Sequence, residues 1–438
     1  MKPCLKTSRL ALILLALLPA VDAGAQDNSF TLSADYFTRG EVRRGGLAVA
    51  EPAEGEYFAR FVLGRTRLVA DFRHSWLSAR LSAQHAGTWG SGEASNLSMN
   101  EAWVEMRSGK GFFVKVGRQP LSYDDQRIFG ADDWSMTGLS HDVLKIGFEG
   151  GAHKMHLFGA YNQNIVNMAL GGTRYTGDLQ PYKSLAGAWY HVDIPSFPLG
   201  ASLLFVNMGQ QSLSEEEGAD ITYFQQLAGG FLSFRPEKWS LEAAYYHQWG
   251  MAQVGLPLDA WMASAKATVS PSEMWSFRTG YDYLSGEEDF ATPPQGQIGL
   301  TRHDKVRGFT SLYGSNHKFY GAMDFFYVST YVYGFTPGLQ NLYAAATWTP
   351  APGKVALDAA YHFLATAAPV AEADRTLGHE IEVSAFWSLG RNVSLSAGYT
   401  LMQGTKTMSI LKRSSDNNRL HWGWLMLQVT PEFFSVKR

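Results

Sequence analysis

"EIEVSAFWSLGRNVSLSAGY" (380–399) sets Ile381, Val383, Ala385 and Trp387 on one side of an extended chain and Glu380, Glu382, Ser384 and Phe386 on the other. After "LGRN" (389–392), Val393, Leu395, Ala397 and Tyr399 take up the same alternation. Period-2 patterning on both sides of a short polar turn predicts a β-hairpin. "LSARLSAQ" (77–84) repeats the pattern, with Leu77, Ala79, Leu81 and Ala83 opposite Ser78, Arg80, Ser82 and Gln84. One apolar face suits a soluble β-sandwich as well as a membrane barrel. The connections decide between them.

Eight short turns can be placed, at 72–76, 107–111, 149–153, 193–200, 235–239, 270–275, 349–354 and 389–392. Around them lie nine longer polar connections, at 45–56, 89–96, 120–139, 163–182, 210–220, 251–257, 285–337, 366–378 and 403–418. Short and long alternate along the chain, so all short turns fall at one end. Seventeen connections join eighteen strands. The expected fold is therefore all-β, a transmembrane antiparallel barrel of 18 strands with short periplasmic turns and long extracellular loops. Aromatics make up 13% of the chain, many at strand ends where an interfacial girdle would lie. A barrel of this size leaves an aqueous channel unless loops close it.

The N-terminus points to an exported protein of the bacterial outer membrane. Lys2, Lys6 and Arg9 precede the apolar run "LALILLALLPAV" (10–21), and "AGA" (23–25) supplies small residues for cleavage. Residues 1–25 are thus expected to be a signal peptide and residues 26–438 the barrel. The only cysteine, Cys4, falls within the expected signal, so the mature chain would hold no disulfide, thiolate metal site or cysteine nucleophile. Removing residues 1–25 takes away three basic residues and one acidic residue, moving the formal charge from −3 to −5. That charge argues against a nucleic-acid partner. Mean hydropathy is −0.16, and no run of 18 apolar residues follows the signal.

On each strand the face opposite the apolar one must point into the lumen, because charge facing lipid costs roughly 2–4 kcal/mol at the midplane. This assigns Asp35, Arg39, Glu41 and Arg43 inward, followed by Arg65, Arg67, Asp71 and Arg80. Glu101, Glu105, Lys115, Lys145 and Glu149 come next, and Glu242, Lys266, Arg278, Asp282, Glu380 and Glu382 later. Most of these inward basic residues lie in the first third of the chain, so one side of the wall is expected to attract anions. Ion-pair ladders that rigidify the wall are the other reading of the same residues.

Two loops stand out. The connection at 285–337 is far longer than ordinary loops and contains "TRHDKVRGFTSLYGSNHKFYGAMDFF" (301–326), rich in aromatics and paired charges. It is expected to fold inward and narrow the channel, with a two-strand excursion as the alternative. "GRQPLSYDDQRIFGADDW" (117–134) concentrates Arg and Asp directly after a strand. It reads as a loop entering the mouth, as a solvated loop with turn-forming Asp and Gly, or as a calcium site, although it lacks EF-hand spacing.

The stretches "VGRQPLSYDDQRIFGADDW" (116–134), "FTSLYGSNHKFYGAMD" (309–324) and "GHEIEVSAFWSLGRNVSLSAGYTLMQG" (378–404) resemble the outer-membrane alginate export family. The resemblance spans essentially the whole mature chain. Founding members of that family are eighteen-stranded porins that pass a polyuronate through an Arg-lined constriction. The resemblance implies that Arg118, Asp124, Asp125 and Arg127 surround such a constriction. It also implies an anionic polysaccharide or oligosaccharide as cargo, outer-membrane lipid around the barrel and a periplasmic export scaffold as a partner. A general or sugar-uptake porin is the alternative. An outer-membrane hydrolase is the weakest reading, because "SHD" (140–142) and "SNH" (315–317) supply Ser and His without a Gly-x-Ser-x-Gly elbow. No catalytic residue, metal ligand or cofactor motif is assigned.

Overall fold

In a computed structural model, the described residues are 28–44, 58–91, 97–163, 165–167, 172–174, 182–212, 221–287, 304–326, 336–370, 373–412 and 419–437. The expected signal at 1–25 and parts of the loops lie outside them.

Seven strands open the chain: β1 (Ser29–Arg44), β2 (Ala59–Arg73), β3 (Leu77–Thr88), β4 (Leu97–Arg107), β5 (Phe112–Gln119), β6 (His141–Gly150) and β7 (His153–Tyr161). A small hairpin, β8 (Ile165–Asn167) and β9 (Gly172–Arg174), stands apart from the main sheet. The wall continues through β10 (Ser184–Asp193), β11 (Leu199–Ser212), β12 (Ile221–Phe234), β13 (Trp239–Gln253), β14 (Leu256–Ser272) and β15 (Trp275–Leu284). It ends with β16 (Leu339–Ala351), β17 (Val355–Ala365), β18 (Thr376–Gly390), β19 (Val393–Gly404), β20 (Arg419–Val429) and β21 (Glu432–Lys437). Every pairing in the main sheet is antiparallel, between strands that follow one another in the chain except that β7 pairs with β10 and β1 with β20 and β21.

The last stave is interrupted. Pro431 has no N–H to give the ladder, and β20 and β21 continue on either side of it along β1. Tyr36 faces Val429 and Arg44 faces His421 in the β20 section, while Ser29 faces Lys437 in the β21 section. Counting β20 and β21 as one stave, eighteen staves close into a barrel, as the turn pattern predicts. All eight short turns fall where the sequence places them. One long connection does not: 251–257 is taken up by β13 and β14, which meet in a tight turn at Val254 and Gly255. Strict short–long alternation therefore fails at that hairpin, although the strand count is unaffected.

The outward face is apolar and uncovered. Leu81, Leu144, Ile381 and Val383 are exposed on it, together with Leu68, Val104, Val116, Leu157 and Leu425. Arg65, Arg67, Ser82, Gln84 and Glu380 are buried on the opposite face, toward the lumen. A closed wall whose apolar side faces outward is the architecture of a bacterial outer-membrane barrel.

The inner face is not uniformly polar. From β6 to β13 it carries Val143, Phe158, Leu185, Trp189, Leu204, Val206, Met208, Leu227, Phe231 and Tyr246, all buried. These strands are apolar on both faces, which a lumen filled with water alone does not explain. Loop residues Leu121, Tyr123, Ile128 and Phe129 belong to the same cluster and cover that wall from inside.

Face assignment is testable with single cysteines, since Cys4 is the only cysteine in the sequence. Leu81 is 55% exposed on the outer face, and Arg80 next to it is paired with Asp71 and Glu101 inside. Leu81→Cys should react with a lipid-restricted reagent and Arg80→Cys only with a water-borne one. The reverse result would mean that the register is shifted by one residue.

Candidate functional site

Gly117 starts the first inward segment. Its φ is +116°, and a Cβ there would lie 2.2 Å from the carbonyl oxygen of Ala102, so only glycine lets β5 pass β4 at this point. Beyond Gln119 the chain turns into the lumen. Tyr123 stacks on Trp189 with ring centroids 4.9 Å apart, and Phe129 meets Phe158 and Tyr313. Asp124 is held against the wall by the indole N–H of Trp189, which donates to its carboxylate at 3.2 Å. Burial raises the Asp124 carboxyl above its ordinary range.

The second inward segment, 304–326, leaves the wall beside β14, where the Asp259 N–H donates to the Val306 carbonyl and the Val306 N–H to the Pro257 carbonyl. Glu287 accepts the N–H groups of Arg307 and Gly308. The two inward segments then join. Phe129 and Tyr313 form a parallel bridge: Tyr313 N–H donates to the Ile128 carbonyl at 3.0 Å, and Gly130 N–H to the Tyr313 carbonyl at 2.9 Å. Ser315 donates to the side chain of Gln126 and accepts the Asp132 N–H.

Its far end reaches the other side of the barrel. Ala322 N–H donates to Glu382 at 2.7 Å, Met323 N–H to Glu380 at 2.9 Å, and Arg43 to the Met323 carbonyl at 2.8 Å. Lys412, on the short helix Lys406–Lys412, donates to the Phe325 carbonyl. His317 lies flat on Trp134, with centroids 4.3 Å apart, and edge-on to Trp422. Among the described residues, seven non-glycine residues have positive φ, and six of them lie in these two segments: Asp124, Gln126, Asp132, Leu312, Tyr320 and Asp324. Backbone of that kind persists only where surrounding contacts hold it.

Arg127 links the segments to the wall. Its guanidinium is buried, pairs with Asp125 at 3.2 Å and Asp282 of β15 at 3.1 Å, and donates to the Tyr320 hydroxyl at 2.9 Å. Tyr320 is itself buried, and the loss of water pushes its phenol above the ordinary value. Beside this link lies a cavity of about 180 Å³ bounded by Asp125, Arg127, Lys266, Arg278, Lys318 and Tyr343. Two of its cations are paired, Lys266 with Glu242 and Arg278 with Asp358.

The wall of β1 to β6 is an ion-pair ladder. Arg39 pairs with Glu41 at 2.7 Å. Arg65 pairs with Asp35 at 2.7 Å and with Asp133 at 3.2 Å, and Arg67 with Asp133 at 2.5 Å. Arg80 bridges Asp71 and Glu101, and Arg107 bridges Glu105 and Glu149. Asp133 comes from the first inward segment, so the loop supplies carboxylate to the basic wall. Lys115 and Lys145 are different. They face each other across β5 and β6, and among the described residues neither has a carboxylate within 4.0 Å. Lys115 lies 3.5 Å from the ring centre of Trp103, and Lys145 5.7 Å from that of Phe113. A second cavity, of about 380 Å³, runs along Asp35, Arg67, Asp71, Arg80 and Glu101.

One assignment needs correcting. Arg118 does not reach the lumen. Strand alternation puts Lys115 and Gln119 inside, so Arg118 points outward with Val116 and pairs with Asp142 at 2.7 Å on the outer surface. Asp125 and Arg127 do border a lumenal cavity, whereas Asp124 is packed behind Trp189. The sequence reading missed Tyr320 and the apolar inner wall. "SLLFVNM" (202–208), apolar on both faces, is the signal that something covers the inside of β11.

No family model matches the chain, and no curated protein matches it in sequence. Solved structures do match its fold. OccK2 (OpdF) of Pseudomonas aeruginosa, solved in complex with glucuronate, is 12% identical, with a TM-score of 0.58 over 92% of this chain and 98% of that one. A BenF-like porin of Pseudomonas fluorescens is also 12% identical, with a TM-score of 0.58 over 92% and 99%. OpdL of Pseudomonas aeruginosa is 11% identical, with a TM-score of 0.59 over 92% and 99%. The likeness is to the fold of outer-membrane porins, and it does not single out the alginate export family.

Replacing Arg127 with Leu strands the buried Asp282 carboxylate. Removing one partner of a buried ion pair costs about 3–5 kcal/mol. Arg127→Leu should free the 304–326 segment before it unfolds the wall. Proteolysis within that segment should speed up while the barrel keeps its heat-modifiable mobility on gels. Unchanged cleavage would show that the apolar contacts suffice to hold the segment.

Proposed function

We propose that the barrel is a solute-selective diffusion channel for small anions, with carboxylate-bearing sugars such as uronates as the substrate class. The observation that carries this reading is the segment 304–326, hydrogen-bonded to walls on opposite sides of the lumen through Tyr313 to Met208 of β11 and through the Met323 carbonyl to Arg43 of β1. An eighteen-stranded barrel crossed in this way admits small solutes through the remaining gaps rather than a broad polymer path. The anion preference rests on Lys115 and Lys145, which among the described residues form no ion pair within 4.0 Å although Glu105 stands across from Lys115, in a wall where most arginines are paired. Local charge within a Debye length, about 8 Å at physiological salt, acts on a permeating ion, so a mature charge of −5 is a poor guide. The fold shared with OccK2, solved with glucuronate, supports the same solute class. Residues 1–25 would serve as the export signal.

Export of a polyuronate, the finer expectation from the sequence, would require the inward segments to yield. Planar-bilayer recordings separate the two readings. The native channel should show a small conductance and anion preference, and glucuronate should block it more strongly than glucose. Lys115→Gln with Lys145→Gln should lower the anion preference more than Arg65→Gln with Arg67→Gln, most clearly at low salt. Replacing 304–326 with a short Gly-Ser linker should raise conductance. Equal block by glucose and glucuronate would remove the anion reading. Passage of long polyuronate chains through the intact barrel as readily as monomers would restore the export reading.

A further inference from the structure

The outer surface at the closure seam carries three arginines without an ion pair among the described residues. Arg44 ends β1, Arg60 is the second residue of β2, and Arg419 begins β20, so all three lie at the long-loop end of adjacent staves. The register places them on the outward face. Arg44 stands opposite His421, Arg60 opposite the exposed Val42, and Arg419 two residues from His421 on the same side. Among the described residues, none of the three arginines has an ion pair or a hydrogen bond from its side chain. Elsewhere on the long-loop rim, among the described residues, Arg118 is matched by Asp142 and Lys305 by Asp259, which also meets His247.

Directly below this cluster the apolar band begins. Val42 is 43% exposed, Tyr399 45% and Leu425 54%. His421 is fixed by the Tyr399 hydroxyl at 2.6 Å and packs near Phe58. The cluster therefore sits where hydrocarbon gives way to headgroups, at the level where interfacial side chains anchor a barrel. Three guanidinium groups on one patch of that level match an anion with several oxygens, and Arg forks bind phosphate in a bidentate way. Continuity with the apolar band adds acyl chains to the same ligand.

We propose that Arg44, Arg60 and Arg419 form a binding site for a phosphorylated glycolipid of the outer leaflet. Its phosphates contact the arginines, and its acyl chains run down over Val42, Tyr399 and Leu425. This site lies outside the lumen and is independent of the solute that the channel passes.

Purified full-length barrel in detergent, incubated with lipid A and washed, should retain the lipid in native mass spectra. Retention should fall about tenfold or more in R44Q/R60Q/R419Q, consistent with the loss of charge-assisted contacts. Lipid A from which the phosphates have been removed should be retained weakly by the native protein. Single-channel conductance and heat-modifiable mobility of the variant should match those of the native barrel, because the arginines face outward. Equal retention by native and variant proteins would overturn the proposal. So would equal retention of phosphorylated and dephosphorylated lipid by the native protein, a comparison that needs no variant to fold. If phosphate ions at millimolar concentration displace the lipid completely while chain-shortened lipid A still binds fully, the acyl contact is wrong and the proposed site fails.

Discussion

Closure of the hydrogen-bond ladder is the constraint on which everything else rests. In hydrocarbon an unpaired backbone N–H or C=O costs several kcal/mol, so a sheet can cross a membrane only without edges. Here the seam is made by β1 against β20 and β21, and it survives a proline at position 431 because the break falls between two paired sections. The Ala34 N–H donates to the Pro431 carbonyl at 3.0 Å, so the interruption leaves a partner on the β1 side. Once eighteen staves are joined in this way, the wall is wide enough to enclose a channel, and the problem moves to the interior.

An interior that wide has to be furnished, and the chain uses two solutions on opposite walls. Along β6 to β13 the inside is apolar and is covered by the first inward segment, through Leu121, Tyr123, Ile128 and Phe129. Along β1 to β6 it is charged, and arginines and carboxylates answer one another in a ladder that Asp133 completes from the loop. The second segment, 304–326, ties the two regions together: Tyr313 donates to Met208 of β11, and the Met323 carbonyl accepts from Arg43 of β1. Rigidity of the constriction therefore comes from both packing and polar pairing, which explains how six residues can be held at positive φ within it.

The wall was legible in the sequence and its contents were less so. Period-2 alternation at 77–84 and 380–399 depends on burial on one side only, and that is a local property of each strand. Turns depend on local chemistry as well, so the short connections and the strand number could be read directly. Arg118 shows the limit. It follows Gly117 at the strand end, and its residue type suggests a lumen role, yet a single step in alternation puts it outside beside Asp142. The pairing of Phe129 with Tyr313 joins residues almost two hundred positions apart and leaves no periodic trace. What could have been read was the double-sided apolarity of "SLLFVNM", which requires a cover on the inner face.

Charge type is a weaker guide to transport than charge partnership. Counted by residue type, the wall of β1 to β6 looks strongly basic, and this is what the sequence suggests. Counted by partner, Arg39, Arg65, Arg67, Arg80 and Arg107 are each paired with carboxylates, and their fields close locally on short dipoles. Such pairs stiffen a wall and present little net field to a solute a few ångströms away. Lys115 and Lys145 stand directly opposite each other, an arrangement that costs stability, while Glu105 stands opposite Lys115 on its other side. Trp103 relieves part of that cost for Lys115 by offering its ring face at 3.5 Å, without cancelling the charge. It is on this like-charged pair, cushioned by aromatics and without an ion pair of its own among the described residues, that the proposed preference for anionic solutes rests.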